Sequence, residues 1–235
     1  MIKTILFDLD GTLYDYDSAD AAGLQQLRQY VREQFGMQKS DFDRAYRSTM
    51  EEVTQLLGIP CAAMHDRYLR FHILLENAGL PLSPHVWEMT RLYWDTLIHA
   101  MKPSPGIISC IPALKKSGYC LGVGTNMQID YQIRKLERLE LIRYFDFIVS
   151  SEEVMAEKPD ARLFLRCVQK AGCRADECLF IGDNLHQDVL GAQKAGLNAI
   201  WFQPDGNQAA MHPEIESICH FGALEDKFCI FPAQQ

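Results

Sequence analysis

The sequence predicts an α/β protein in which a doubly wound parallel sheet is interrupted, just after its first strand, by a four-helix insert. Three observations carry this. Thr4 to Leu13 reads TILFDLDGTL, an apolar run that stops at a glycine turn, as a strand buried on both faces does. From about residue 18 to residue 102 the apolar side chains recur at helical spacing. Beyond Pro103-Ser104-Pro105-Gly106 the pattern alternates between strand and helix, which implies parallel strands joined by right-handed crossovers. The core is thus Rossmann-like.

The first strand takes Ile5, Leu6 and Phe7. Leu24, Leu27, Val31 and Phe35 form the stripe of the first insert helix, with Gly36 as its stop. Ser40 with Asp43 reads as a capping box with a shorter acid and opens a second helix that ends near Leu57-Gly58. A third runs from about Cys61, through Met64, Tyr68, Phe71 and Leu75, to Ala78-Gly79. Ser83 as N-cap and Pro84 at the first helical position start a fourth, in which Trp87, Tyr93 and Trp94 are expected in the core. After the Pro-rich connector come a helix (107–116), a strand (119–123), a helix (129–139), a strand (145–150), a helix (161–171), a strand (178–181), a helix (187–195) and a strand (199–202). An edge strand at 218–221 and a short helical turn close the chain. The expected domains are a core of residues 1–16 and 103–235 and a helical insert of residues 17–102.

Composition narrows the function. The chain has 235 residues, 48% of them hydrophobic, enough for a sizeable core. A net charge of -8, a pI near 5.4 and the lack of a long basic run argue against nucleic acid as a partner. The eight cysteines form no CxxC pair, which disfavours a zinc site or redox dithiol. No apolar stretch reaches membrane-spanning length, and the first strand begins at once, so no leader and a cytoplasmic location are expected.

The chemistry gathers at strand ends. Asp8 and Asp10 follow the first apolar run, and i, i+2 residues of a strand share a face, so the two acids are placed to converge on one ligand. The next strands end in Gly124-Thr125-Asn126, are followed by Lys158-Pro159, or end in Gly182-Asp183 with Asp188 five residues on. Parallel strands bring all of these to one edge. Two carboxylates about 4 Å apart repel by about 4 kcal/mol at an effective dielectric near 20. Asp8, Asp10 and Asp183 in one crevice therefore call for a hard divalent cation, for which Mg2+ suits an all-oxygen set that keeps water and shares a phosphate oxygen. Lys158 adds positive charge, and Thr125 with backbone N–H groups adds donors for phosphoryl oxygens. Taken singly, Asp183 also fits an N-cap, Asp188 a first-turn acid, Thr125-Asn126 a turn and Lys158 a solvated lysine. The reading rests on the set. Gly122-Val123-Gly124 lacks the third glycine of a dinucleotide loop, Met127 standing there. His65, His72, His85 and His99 lack metal-ligand spacing, while Arg47, Arg67, Arg70 and Arg91 are candidates to face a substrate.

Asp8-Leu9-Asp10-Gly11-Thr12, Thr125, Lys158 and Gly182-Asp183 with Asp188 resemble, in order, the four motifs of the haloacid dehalogenase-like superfamily of phosphotransferases, over residues 1 to about 202. The resemblance implies that Asp8 is a nucleophile forming an aspartyl-phosphate, and that Asp10 protonates the leaving alcohol and then deprotonates water. It implies that Thr125, with the Asn126 N–H, binds phosphoryl oxygens and that Lys158 balances charge. The implied Mg2+ ligands are the Asp8 carboxylate, the Asp10 backbone carbonyl and the Asp183 carboxylate. Asp188 would hold a metal-bound water or orient Lys158, with Thr12 in support. The insert stands where the family has its helical cap, hinged at Tyr14–Asp17 and Pro103–Gly106. The implied activity is a Mg2+-dependent phosphatase of a small soluble phosphomonoester, a nucleoside monophosphate or sugar phosphate, working as monomer or homodimer. A phosphomutase and a non-catalytic phosphometabolite-binding protein remain as alternatives. Carbon–halogen hydrolysis, which needs neither a Mg2+ site nor an acid at Asp10, is disfavoured. Arg134 to Arg162, with EKPDARLF at its end, is most similar to the branch of nucleotidases and N-acylneuraminate 9-phosphatases. In the fourth motif Asn184 and Gln187 depart from the usual residues.

Overall fold

Sheet order and chain order diverge after the first strand. In this computed structural model, which describes residues 1–206 and 212–229, β1 (Thr4–Phe7) lies in the middle of a six-stranded sheet. β2 (Cys120–Thr125) and β3 (Phe147–Ser150) lie on one side of it, and β4 (Cys178–Gly182), β5 (Asn198–Phe202) and β6 (Ser217–Ile218) on the other. Every pairing is parallel, with Phe7 opposite Val123 in β2 and Ile181 in β4. The chain winds outward from β1 to β3, then returns to β4. The carboxyl end of β1 therefore opens at the switch point, where such sheets bind ligands.

All four residues of β1 are buried, as its unbroken apolar run requires. Leu6, Val149, Phe164, Cys167 and Phe180 share one core cluster, with the Phe164 and Phe180 rings edge to face at 5.1 Å. The chain forms two compact units, residues 1–15 with 102–235 and Tyr16–Met101; residues 207–211 and 230–235 of the first lie outside the described set.

The helical unit holds α1 (Tyr16–Phe35), α2 (Lys39–Leu57), α3 (Arg67–Asn77) and α4 (His85–Ala100). Its helix starts differ from the expected ones for local reasons. No side chain caps α2: the helix already begins at Lys39 with Gln38 as its N-cap, so Ser40 lies within the first turn, and Asp43 pairs with Arg28 at 2.6 Å. Residues 62–65 make a separate 3₁₀ turn, and α3 starts where the Asp66 carboxylate accepts the N–H groups of Tyr68 and Leu69. Pro84 lies just outside α4 rather than within its first turn. Trp87 is 58% exposed rather than core, its ring 5.8 Å from that of Tyr68. Arg67 and Arg70 turn into this unit, bonded to Tyr93 Oη and the His65 carbonyl and to the Met64 carbonyl respectively, while Arg91 pairs with Glu88 and Asp95 at the surface.

In the α/β unit, α5 (Ile107–Lys116), α6 (Ile129–Arg138) and α8 (Ala161–Ala171) fall close to their expected bounds. The unforeseen α7 (Ser151–Val154) follows directly on β3, where the Ser150 hydroxyl accepts the Glu153 N–H. β3 begins only at Phe147, because the Asp146 side chain takes the Leu121 N–H that a longer strand would leave to backbone. The helix expected at 187–195 is a π-helical turn, Leu185–Val189, running into α9 (Leu190–Lys194). β6 is only two residues long, and the chain then turns into α10 (Gly222–Phe228).

Candidate active site

At the carboxyl edge of the sheet, β1 delivers Asp8, whose N–H bonds to the Ile181 carbonyl at 2.8 Å and extends the strand pairing by one residue. Asp8 is 6% exposed. Asp183 follows the end of β4, and the indole N–H of Trp201 fixes its carbonyl at 2.7 Å. The π-helical turn then swings Asp188 back toward the strand end. Asn184 stabilises that turn by accepting from the His186 and Gln187 N–H groups, and its own N–H donates to Asp188 Oδ2 at 2.9 Å. One carboxylate oxygen from each of Asp8, Asp183 and Asp188 lies within 4.8 Å of the others.

Lys158 enters from beyond β3, its N–H held by Asn126 Oδ1 at 2.9 Å. Its ammonium lies 2.5 Å from Asp8 Oδ1 and 2.6 Å from Asp188 Oδ1, nearly shut off from water. Thr12 joins two of the acids: its hydroxyl is 3.1 Å from Asp183 Oδ1 and 3.5 Å from Asp8 Oδ2, and accepts the Asp183 N–H at 3.0 Å. Two glycines make room. At Gly182 any Cβ would collide with the Asp188 carboxylate. At Gly11, with φ +83°, a Cβ would sit 2.5 Å from Asp183 Oδ2. Gly11→Ala thus combines backbone strain, roughly 1–2 kcal/mol, with displacement of Asp183. The expected result is a protein that still folds, with a melting point lower by a few degrees, and whose thermal shift on adding Mg2+ is lost.

Three carboxylates face one ammonium here, leaving two negative charges uncompensated. Burial raises the Asp8 pKa well above the usual carboxylate range, and Asp188 and Asp183 add to the rise against the pull of Lys158. Burial, then Asp188, pushes Asp183 up to about 6. For Lys158 burial acts downward, but Asp188 and Asp8 prevail and its pKa is raised. The sign for stability follows from linkage. A carboxylate whose folded pKa is raised contributes stability below its unfolded pKa, near 3.9, and that contribution is lost as pH rises through about 6. In EDTA the unfolding free energy from urea melts is therefore expected to fall between pH 4 and pH 7, on the order of 2 kcal/mol from Asp183 alone. Asp183→Asn should flatten that fall.

Asp10 does not join this cluster with its side chain. β1 ends at Phe7, so the strand alternation expected to align Asp8 with Asp10 no longer operates beyond it. The Asp10 carboxylate instead meets Lys135 Nζ at 2.7 and 2.9 Å, the Tyr14 hydroxyl, and Gln132 Nε2 at 3.2 Å. Burial would raise its pKa, but Lys135, Tyr14 and Gln132 outweigh burial and hold it below the usual range. The third acid of the crevice is Asp188. Gln132 and Lys135 escaped the sequence reading. The signal was there: they stand three residues apart on α6, on the same face as Leu136, so two polar side chains occupy positions facing the core.

Thr125, at the end of β2, accepts from Gln132 Nε2 at 2.6 Å and donates to the Asn126 carbonyl. Asn126 links three loops through Lys158 N–H and Gln187 Oε1. Metal chemistry fits the acidic cluster: all donors are hard oxygens, their surplus charge matches a divalent ion, and Asp183 Oδ2 accepts no hydrogen bond among the described residues.

The model of the haloacid dehalogenase-like hydrolases matches residues 5–202. The chain belongs to that family. Among these hydrolases it is 32% identical to a ribulose-1,5-bisphosphate 5-phosphatase of Halopiger xanaduensis, over 87% of this chain and 86% of the relative. It is 32% identical to a glyceraldehyde 3-phosphate phosphatase of Methanopyrus kandleri, over 84% of this chain and 82% of the relative. The magnesium-bound crystal structure of YfnB from Bacillus subtilis superposes with a TM-score of 0.69 at 25% identity, covering 97% of this chain and 99% of that one.

Proposed function

We propose that the protein is a Mg2+-dependent phosphatase that hydrolyses a small phosphomonoester through an aspartyl-phosphate on Asp8. The observation that carries this reading is the Asp8 carboxylate at the sheet edge, with Lys158 on one oxygen and Asp183 and Asp188 close by. A nucleophilic carboxylate needs an oxygen free to meet phosphorus and a cation beside it to take up the charge that moves in the attack.

Asp8 attacks phosphorus in line with the leaving oxygen, and Asp10 gives that oxygen its proton, which it must first take up because Lys135, Tyr14 and Gln132 favour its ionised form in the free protein. Asp10 then takes a proton from the water that cleaves the acyl phosphate, restoring Asp8 and releasing inorganic phosphate. Lys158 neutralises charge that passes from the nucleophile to the phosphoryl group. The Thr125 hydroxyl, which donates to a neighbouring carbonyl, can rotate to donate to a phosphoryl oxygen with the Asn126 N–H beside it. The side chains of Asp8 and Asp183 and the Asp10 carbonyl would hold the Mg2+, with Asp188 and Thr12 supporting them. Bound Mg2+ supplies Lewis acidity at the phosphoryl oxygens and relieves the repulsion among the acids. The unit Tyr16–Met101 takes the place of the family's helical cap in this reading and would select the leaving group.

The substrate is a small phosphorylated metabolite. The named relatives favour a sugar phosphate over a nucleoside monophosphate. Neither nucleic acid nor a membrane is a partner in this reading, and no helix among the described residues is long and apolar enough to cross a membrane. Phosphate release measured over a panel of sugar phosphates and nucleoside monophosphates, with Mg2+ and with excess EDTA, tests the proposal. Turnover of at least one ester that EDTA abolishes and Mg2+ restores is expected. Full turnover in EDTA, or none with any ester, would overturn it. Transfer of phosphate to a second hydroxyl without net release would identify a mutase.

A further inference from the structure

Lys135 is a fully buried ammonium of the α/β unit that the reaction as written does not use. Burying an ammonium costs several kcal/mol unless it is well paired. Lys135 is paired with both oxygens of Asp10, while its Nζ also lies 5.9 Å from the centre of the Tyr14 ring. One helical turn before it, the equally buried Gln132 uses a single amide nitrogen to reach Asp10 Oδ2, the Thr125 hydroxyl and the Asn126 carbonyl. Tyr14 adds its hydroxyl to the first oxygen of Asp10. One face of α6 therefore ties the Asp10 carboxylate to the loop at the end of β2.

We infer that Lys135 and Gln132 are positioning residues that fix the Asp10 carboxylate relative to the Thr125-Asn126 loop, and so set where the proton is delivered to the leaving oxygen. This rests on the phosphatase reading above. An acid on a loop beyond a strand end can turn about two side-chain bonds. Three buried donors on two oxygens remove that freedom, and general acid catalysis depends on placing the proton within hydrogen-bond reach of the oxygen that departs. The loop fixed by the same amide is the one proposed to hold the phosphoryl group. The distance between acid and reacting group is thereby set from one helix. Lys135 and Gln132 touch neither phosphorus nor leaving group in this scheme. They act through Asp10.

Leaving-group dependence separates this role from simple support of the fold. p-Nitrophenolate departs readily without a proton, whereas phenolate, being far more basic, needs one. Single-turnover release of phenol from phenyl phosphate and of nitrophenol from p-nitrophenyl phosphate, with Mg2+ present, is the measurement. With each rate taken at its own pH optimum, because removing the Lys135 charge also raises the Asp10 pKa, Lys135→Met is expected to slow phenol release about 10²-fold and nitrophenol release less than about 5-fold. Lys135→Arg should recover part of the phenol rate, and Asp10→Asn with Lys135→Met should be no slower than Asp10→Asn alone. Gln132→Met gives the same test if Lys135→Met does not fold, with the same selective loss expected. Equal slowing of both esters, or a full additional loss on top of Asp10→Asn, would overturn the inference and leave the phosphatase reading standing. A wild-type protein that releases neither phenol nor nitrophenol, and no phosphate from any panel ester, would remove that reading and this inference together.

Discussion

Asp8→Asn is expected to abolish phosphate release while leaving the protein at least as stable as before. The amide keeps the shape of the side chain and removes the anionic oxygen proposed to attack phosphorus. Loss of a covalent nucleophile costs the larger part of an enzyme's advantage, so a fall of about 10⁴-fold or more in kcat is expected. Stability moves the other way for an electrostatic reason. Asp8 is buried beside Asp183 and Asp188, and its pKa is raised by burial first and by those two acids next. Replacing one of three clustered carboxylates by a neutral group relieves that repulsion, and Lys158 keeps Asp188 at 2.6 Å as its partner. The melting temperature in EDTA should therefore hold or rise as activity vanishes. Activity near the wild-type level would eliminate Asp8 as nucleophile. Lost activity with a collapsed melting temperature would show that the side chain supports the fold instead.

The strands and their order of appearance were legible because parallel strands buried on both faces leave unbroken apolar runs, and β1, β4 and β5 are such runs. Local competition blurred the element ends. Asp43 pairs with Arg28, Asp66 starts α3 by capping it, and Asp146 takes an N–H that would have lengthened β3. Such choices depend on partners remote in sequence. The strand-end acids stood out for the opposite reason: no packing argument explains carboxylates at the end of buried strands. What spacing could not show was their division into two sets. Asp8 and Asp10 are two residues apart, yet one is ion-paired with Lys158 and the other with Lys135, residues 150 and 125 positions away. That division needs α6 and the loop after β3 in place, and it gives neighbouring acids opposite pKa shifts.

The second large effect is expected at Lys158. Its ammonium is the positive charge held directly between Asp8 and Asp188, and 4% of the residue is exposed. Lys158→Met fills similar volume but leaves Asp8, Asp183 and Asp188 with no cation in contact. Breaking a buried ion pair by removing one partner typically costs about 3–5 kcal/mol, which for a chain of 235 residues lowers Tm on the order of 10 °C. The cost must depend on pH in a fixed direction. Without Lys158 the acids bind protons more readily in the folded than in the unfolded state, so stability is retained at pH 5 and lost as pH rises to 8. Mg2+ should recover part of the loss by supplying the missing charge. Activity should not return with it, because in the proposed mechanism the charge moving onto the phosphoryl oxygens then lacks its counter-ion, a loss of about 10²–10³-fold in kcat. Arginine should not rescue either property, since its planar fork cannot occupy a dry site sized for one ammonium with oxygens at 2.5 and 2.6 Å. Melting curves at pH 5 and pH 8, with EDTA and with Mg2+, beside kcat on the same preparations, measure both effects. Equal stability of Lys158→Met and wild type at pH 8 in EDTA would mean that the three acids are not held close enough to repel, and the charge argument for the cation would fail with it.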